Sequence, residues 1–171
     1  LSGGGSGVAL GHARIVNDLV GTDFRAGTQL ALQYLWDLGH REIGFLAGKP
    51  GSSVTDDRLE GVEHFRRAIE PISLNIHIGH ADYSVDAGYD FTRDLLERYP
   101  GVTAIMTSQD QSAYGSLAAL KTLGLSAPGD MSVLGFDDLP LSSSPLIDLS
   151  TLRVDRRALG EMAASALLGR I

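Results

Sequence analysis

Two hydrophobic periods alternate along these 171 residues. Short continuous apolar runs recur at "EIGFLAG" (42–48), "SLNIHIG" (73–79), "TAIMT" (103–107) and "MSVLGF" (131–136). Each reads as a strand buried on both faces, because a strand open to water on one side would alternate with polar residues. Between the runs, apolar residues recur every three or four positions, the period of an amphipathic helix. The first such helix carries Gly27, Leu30, Ala31, Tyr34, Leu35 and Leu38 on one face and closes at Gly39. After a loop over 48–56, the second carries Leu59, Val62, Phe65 and Ile69. The third, over 85–98, turns Ala87, Phe91 and Leu95 inward. The fourth turns Ala113, Leu117 and Leu120 inward and ends near Gly124. Strands that alternate with helices imply parallel pairing through right-handed crossovers. The expected fold is α/β, a doubly wound parallel sheet.

Both ends break this rhythm. The opening "SGGGSG" has almost no side chain to pack and reads as a flexible start. "ARIVNDLVG" (13–21) is strand-like. After Asp138, "LPLSSSPLIDLS" (139–150) reads as a long loop, "TLRV" (151–154) as a short detached strand, and Asp155 as the cap of a last helix. That helix has Ala158, Leu159, Met162, Ala163, Ala166 and Leu167 on one face. An apolar face on a segment that has left the sheet is expected to need a partner.

Composition narrows the function classes. The net charge is -7, and Lys49 and Lys121 are the only lysines, so a phosphate-binding surface for nucleic acid is not expected. No apolar run approaches the ~18 residues of a membrane span. The absence of cysteine rules out disulfides and thiolate metal sites, and fits a cytoplasmic protein. No G-x-G-x-x-G follows a strand, and there is no Walker A loop, nucleophile elbow or H-E-x-x-H. The five histidines (12, 40, 64, 77, 80) lack metal-ligand spacing. No metal and no cofactor is therefore expected, and no enzymatic activity. His40, beside a helix end, reads as a packing or capping residue.

Ligands of a parallel α/β sheet bind beyond the carboxyl ends of its strands. That rule selects the loops at 22–25, 48–58, 80–84, 108–111 and 136–138. Asp110 opens a helix and reads first as a capping or dipole-complementing acid. Arg58 lies near a helix start, where a cation gains nothing from the dipole, so either solvent or a ligand is its partner. Tyr83 suits stacking on a ring or covering the core. Asp137 and Asp138 leave a strand in different directions, which argues against a catalytic dyad.

Longer phrases carry a resemblance. "VGTDFRAG", "GHREIGFLAG", "DDRLEGVEHFRRA" and "TAIMTSQDQSAYGSLAALKTLGLSAPGDMSVLGFDDLPLSSSPLIDLSTLRVD" resemble, in order and near-spacing, the effector-binding core of lactose-repressor-family transcription regulators. The likeness covers roughly residues 20 to 169. It implies one lobe of a periplasmic-binding-protein-like type I fold, with crossing segments to a largely missing first lobe. On that reading residues 1–22 are a flexible start and crossing strand, 23–138 the C-terminal effector lobe, and 139–171 a loop, strand and helix of the N-terminal lobe. It also implies a fragment without the helix-turn-helix domain, through which alone the protein would meet operator DNA.

The family's site residues carry over by position. Arg58 matches the arginine that donates to effector hydroxyls or carboxylates. Asp137 matches the acid after "GF" that accepts from sugar hydroxyls. Gln109 replaces the usual Asn or Asp, and Tyr83 matches the stacking aromatic. Ser52 and Val54 fall at further effector positions, with Val54 departing toward apolar. Asp23 stands at the first crossing. Implied partners are a small-molecule effector such as a sugar and a second copy in a homodimer, with no membrane. The alternative with the same fold is a periplasmic sugar-binding protein of a transport system.

Overall fold

The computed structural model describes residues 3–5, 9–10, 13–14 and 17–169, with side chains from residue 20 onward. In chain order the elements begin with β1 (Gly3–Gly5), β2 (Ala9–Leu10), β3 (Ala13–Arg14) and β4 (Asn17–Leu19). Then come α1 (Phe24–Asp37), β5 (Glu42–Leu46), α2 (Ser53–Ala68), β6 (Asn75–Gly79) and α3 (Val85–Arg98). The series ends with β7 (Ala104–Thr107), α4 (Asp110–Thr122), β8 (Ser132–Asp137), β9 (Ser150–Arg153) and α5 (Arg156–Leu168). The chain divides into two units, residues 1–23 with 154–171, and residues 24–153.

The larger unit holds a five-stranded sheet in the order β6-β5-β7-β8-β9, every pair parallel. This is the 2-1-3-4-5 order of doubly wound sheets, whose ligand crevice opens where the order reverses. Here that point lies between β5 and β7. Successive strand residues feed opposite faces, as the pleat requires. Ala104 and Met106 join one core cluster and Ile105 the other, and Leu134 and Val133 divide the same way. The first cluster takes Leu32 and Leu35 from α1 and Val62 and Phe65 from α2. The second takes Leu95 from α3 with Ala113 and Leu120 from α4. Helices cover both faces, as the continuous apolar runs imply.

Several expectations are corrected. On α1 the buried residues are Thr28, Ala31, Leu32 and Leu35, while Leu30, Tyr34 and Leu38 are exposed. Two stripes with 3–4 spacing overlap there, and the α2 contact chooses between them. A Cβ at Gly61 would lie 2.6 Å from the Arg25 carbonyl oxygen and 2.9 Å from Thr28 Cβ. The two helices thus touch nearly backbone to backbone along the Arg25–Thr28 edge. Thr28 accepts burial because its hydroxyl donates to the Phe24 carbonyl at 2.8 Å. The loop expected over 48–56 is shorter, since α2 begins at Ser53.

The strand expected to be detached is not. β9 pairs in register with β8, Phe136 opposite Leu152 and Asp137 opposite Arg153. The pairing keeps Ser150–Arg153 in the sheet, and the larger unit runs to Arg153. A pairing partner sixteen residues away in sequence leaves no trace in local periodicity.

His40 has the structural role expected of it. Its Nδ1 lies 2.9 Å from Thr103 Oγ1 and its Nε2 2.9 Å from Ser132 Oγ, tying the strand starts of β7 and β8. Burial, helped by the Arg41 charge, pushes its pKa below the ordinary imidazole value.

In the smaller unit β1 pairs antiparallel with β4, and β2 with β3. Gly3–Gly5, in the stretch expected to be a flexible start, pairs as a strand, since main-chain pairing needs no side chain. The rest of the opening, and residues 15 and 16 of the expected strand 13–21, lie outside the described residues. Asp155 caps α5 as expected, accepting from the Ala158 amide at 2.9 Å. No residue of α5 is buried, and Leu167 and Leu168 stand well exposed.

Candidate functional site

The carboxyl ends of β5, β7 and β8 carry the groups that matter. Arg58 rises from the second turn of α2 and is only 3% exposed. Its Nη2 donates to the Ser108 carbonyl at 3.0 Å, while Nε and Nη1 reach no acceptor. Three rings surround the guanidinium: Phe24 at 4.6 Å, Phe136 at 5.4 Å and Tyr83 at 5.9 Å. An arginine is almost never buried without a charged partner or a full set of acceptors. Burial pushes the Arg58 pKa down, opposed by the nearby Tyr83 oxygen and the Asp137 carboxylate. The guanidinium remains a cation with donors to spare.

Asp137 ends β8 with φ 118°, and Asp138 follows at φ 54°. Side chains avoid the left-handed half of the map, and its non-glycine occupants gather where a site demands them. The pair acts as two separate groups, as expected. Asp138 turns to β9, its carboxylate 2.5 Å from Arg153 Nε and its amide 3.4 Å from Thr151 Oγ1. Asp137 faces the Arg58 side, close enough to act on its charge.

Tyr83 sits in the loop before α3, half-buried. Gly48, at φ 98°, leaves it room, for a Cβ there would come 2.8 Å from the tyrosine oxygen. Gln109 occupies the N-cap position of α4 without a side-chain capping bond, which leaves its amide available. Ser52 holds the same position on α2, also without a capping bond, and Val54 is half-buried one turn before Arg58.

The structure therefore gathers Arg58, Tyr83 and Asp137, with Gln109 next to the Ser108 carbonyl that Arg58 grips. Ser52 and Val54 share the leading turn of α2. Asp23 is exposed and falls in the other unit, immediately before α1. Phe24, Ser108 and Phe136 lie in the loops 22–25, 108–111 and 136–138 selected from the sequence, but none was singled out there. Their signal was adjacency, since each precedes or follows a site candidate directly.

A groove of ≈ 710 Å³ opens elsewhere, between β6 and α3. Its His77 is already paired. His77 Nε2 lies 2.9 Å from Glu42 Oε2, and its ring stacks on Tyr99 at 3.7 Å. Among the described residues no three His, Asp or Glu side chains could hold a metal ion, and no helix is long and apolar enough to cross a membrane.

The strand ends of this doubly wound lobe thus gather an arginine with two unpartnered nitrogens, an acid and an aromatic ring. The sequence pattern of the periplasmic binding protein-like domain matches residues 32–171. The ribose operon repressor of Escherichia coli strain K12 is 34% identical over 158 residues, 91% of this chain and 47% of that protein. The lactose operon repressor of the same strain is 34% identical over 144 residues, 83% of this chain and 39% of that protein. Among solved structures, a LacI-family transcriptional regulatory protein from Corynebacterium glutamicum superposes with a TM-score of 0.80 at 36% identity. That match covers 88% of this chain and 57% of the regulator. The chain belongs to the periplasmic binding protein-like domain family. It spans about half the length of the repressors it matches.

Proposed function

We propose that this chain is the effector-sensing part of a cytoplasmic, homodimeric transcription repressor that binds a small polar ligand such as a sugar and does not transform it. The observation that carries this reading is the buried Arg58 guanidinium, with two unpartnered nitrogens beside Asp137. A carboxylate accepts hydrogen bonds and the guanidinium donates them, so together they hold vicinal hydroxyls. Tyr83 covers the apolar face of the ring, and Gln109 and Ser52 add adaptable polar contacts. Val54 narrows one wall with an apolar surface. The smaller unit, with Asp23, belongs to the neighbouring lobe of the same regulator.

Operator DNA is read by a domain outside these residues. The ligand acts by differential affinity for the arrangements of the full protein, which moves the population toward or away from the DNA-binding one. A thermal-shift panel of pentoses, hexoses and nucleobases on the full-length protein, beginning with D-ribose, tests the reading. A ligand at 100 times its Kd stabilises the folded state by about 2.7 kcal/mol. Arg58→Met and Asp137→Asn are expected to lose that shift and the operator response while operator binding itself persists. Unchanged ligand affinity in both variants, or conversion of the ligand to product, contradicts the proposal.

A further inference from the structure

We propose that Asp110 is a positioning residue whose buried carboxylate clamps the chain after Asp137 and holds Asp137 in the conformation that meets the ligand. The ligand role of Asp137 is the one proposed above. Asp110 is 0% exposed, yet none of its three hydrogen-bond donors comes from its own helix. The Leu139 amide donates to Oδ2 at 2.7 Å and the Ser142 hydroxyl to the same oxygen at 2.5 Å. The Thr151 hydroxyl donates to Oδ1 at 2.5 Å. Asp110 stands in the first turn of α4, where its charge complements the dipole as expected, but in place of capping it ties three segments: the residues leaving β8, the turn at 142, and β9. Tyr114 extends the network, its hydroxyl 2.8 Å from Ser142 Oγ. Gly135 makes room for it, because a Cβ there would lie 2.3 Å from Asp110 Oδ1.

The clamp brackets the two residues with positive φ. Upstream, Asp137 is fixed by its β9 partner Arg153. Downstream, Leu139 is fixed by Asp110. Asp137 and Asp138 have to turn the chain between these anchors, and both do so in the left-handed region. Such a conformation persists only where its surroundings over-determine it. The same β7–α4 turn also supplies the Ser108 carbonyl to Arg58, so one short segment sets both charged groups of the site.

A double-mutant cycle on the full-length protein, without ligand, tests the clamp. Measured against Asp137→Ala, which loses the same carboxylate, Asp137→Gly relieves the strained φ and is expected to raise Tm by a few degrees. In backgrounds that remove one donor, Thr151→Val or Ser142→Ala, the same substitution is expected to give less than half that gain, because the segment has already relaxed. The amide-to-α-proton coupling of residue 137 is expected to change in those backgrounds too. Asp110→Asn is a third background, and the single-donor variants keep the cycle usable if it does not fold. Equal gains in every background, or no gain in the unmodified protein, overturn the clamp while leaving the ligand site standing. Coupled gains with unchanged ligand affinity in Asp137→Asn support the clamp and sink the ligand role.

Discussion

Arg58→Met separates a residue kept for the fold from one kept for a ligand. Methionine retains an unbranched stem among Phe24, Tyr83 and Phe136 and removes the charge. Nε and Nη1 reach no acceptor, and a buried unsatisfied donor costs about 1–3 kcal/mol. Against their removal stands the loss of the bond to the Ser108 carbonyl, about 1.5–3 kcal/mol for a charged donor. The cation–ring contacts contribute about 0.5–2 kcal/mol more. Gain and loss nearly cancel, and the expected net change lies within about 2 kcal/mol of zero. Removing half of a buried structural ion pair instead costs about 3–5 kcal/mol. At about 4 °C per kcal/mol for a unit of this size, the first case moves Tm by no more than about 8 °C and the second lowers it by about 12–20 °C. Urea unfolding and thermal melting of the full-length variant decide between them. A fall of more than 12 °C would show that Arg58 is a structural strut, and the ligand argument would lose its main support.

Asp137→Gly relieves about 1–3 kcal/mol of backbone strain and adds about 0.5–1 kcal/mol of unfolded-chain entropy, so it is expected to melt above Asp137→Ala, which loses the same carboxylate. A glycine variant that melts no higher than the alanine variant contradicts the strain. Gly61→Ala should destabilise by about 1–3 kcal/mol in urea titration despite the better helix propensity of alanine, since the new methyl meets the Arg25 carbonyl; a stabilised variant would show that the helices yield there. For pH, the folded state keeps His40 neutral to lower pH than the unfolded chain does, so the unfolded state binds the extra proton. That contribution is complete above the ordinary value of 6.5 and is lost as pH falls below it. His40→Gln should flatten the Tm change between pH 7.5 and 5, and an unchanged slope would exclude the bridge as its source. Glu42 works in a separate window. Hydrogen bonds from Asn75 and His77 hold its carboxyl below the ordinary value of 4.5, so its contribution fades only in more acid solution. An Asn75→Ala variant should therefore lose less stability than the unmodified protein as pH drops from 5 to 3.

What could be read from the sequence depended on how local its cause was. β5, β7 and β8 announced themselves because both faces of the sheet are covered, and α3 matched its 85–98 expectation residue for residue. The buried face of α1 was missed because a distant glycine in α2 selects it. β9 was missed because its partner is set by the long loop after Asp138. Asp110 looked like a helix-start acid, and only the fold shows its donors arriving from elsewhere. Arg58, Tyr83 and Asp137 lie 25 to 79 positions apart. Periodicity placed each near a strand or helix end, and the family resemblance alone set them around one ligand. Of the rings on Arg58, Tyr83 was named from the sequence, while Phe24 and Phe136 had no signal beyond lying in selected loops next to Asp23 and Asp137.

The most direct test is isothermal titration of the full-length protein, Arg58→Met and Asp137→Asn with D-ribose and with whichever sugar raises Tm most in the panel. The expected result is a single site per chain in the unmodified protein and a loss of at least about tenfold in affinity in each variant, the loss of one hydrogen bond to a charged group. Equal affinity in all three proteins would contradict the placement of the ligand beside Arg58 and Asp137.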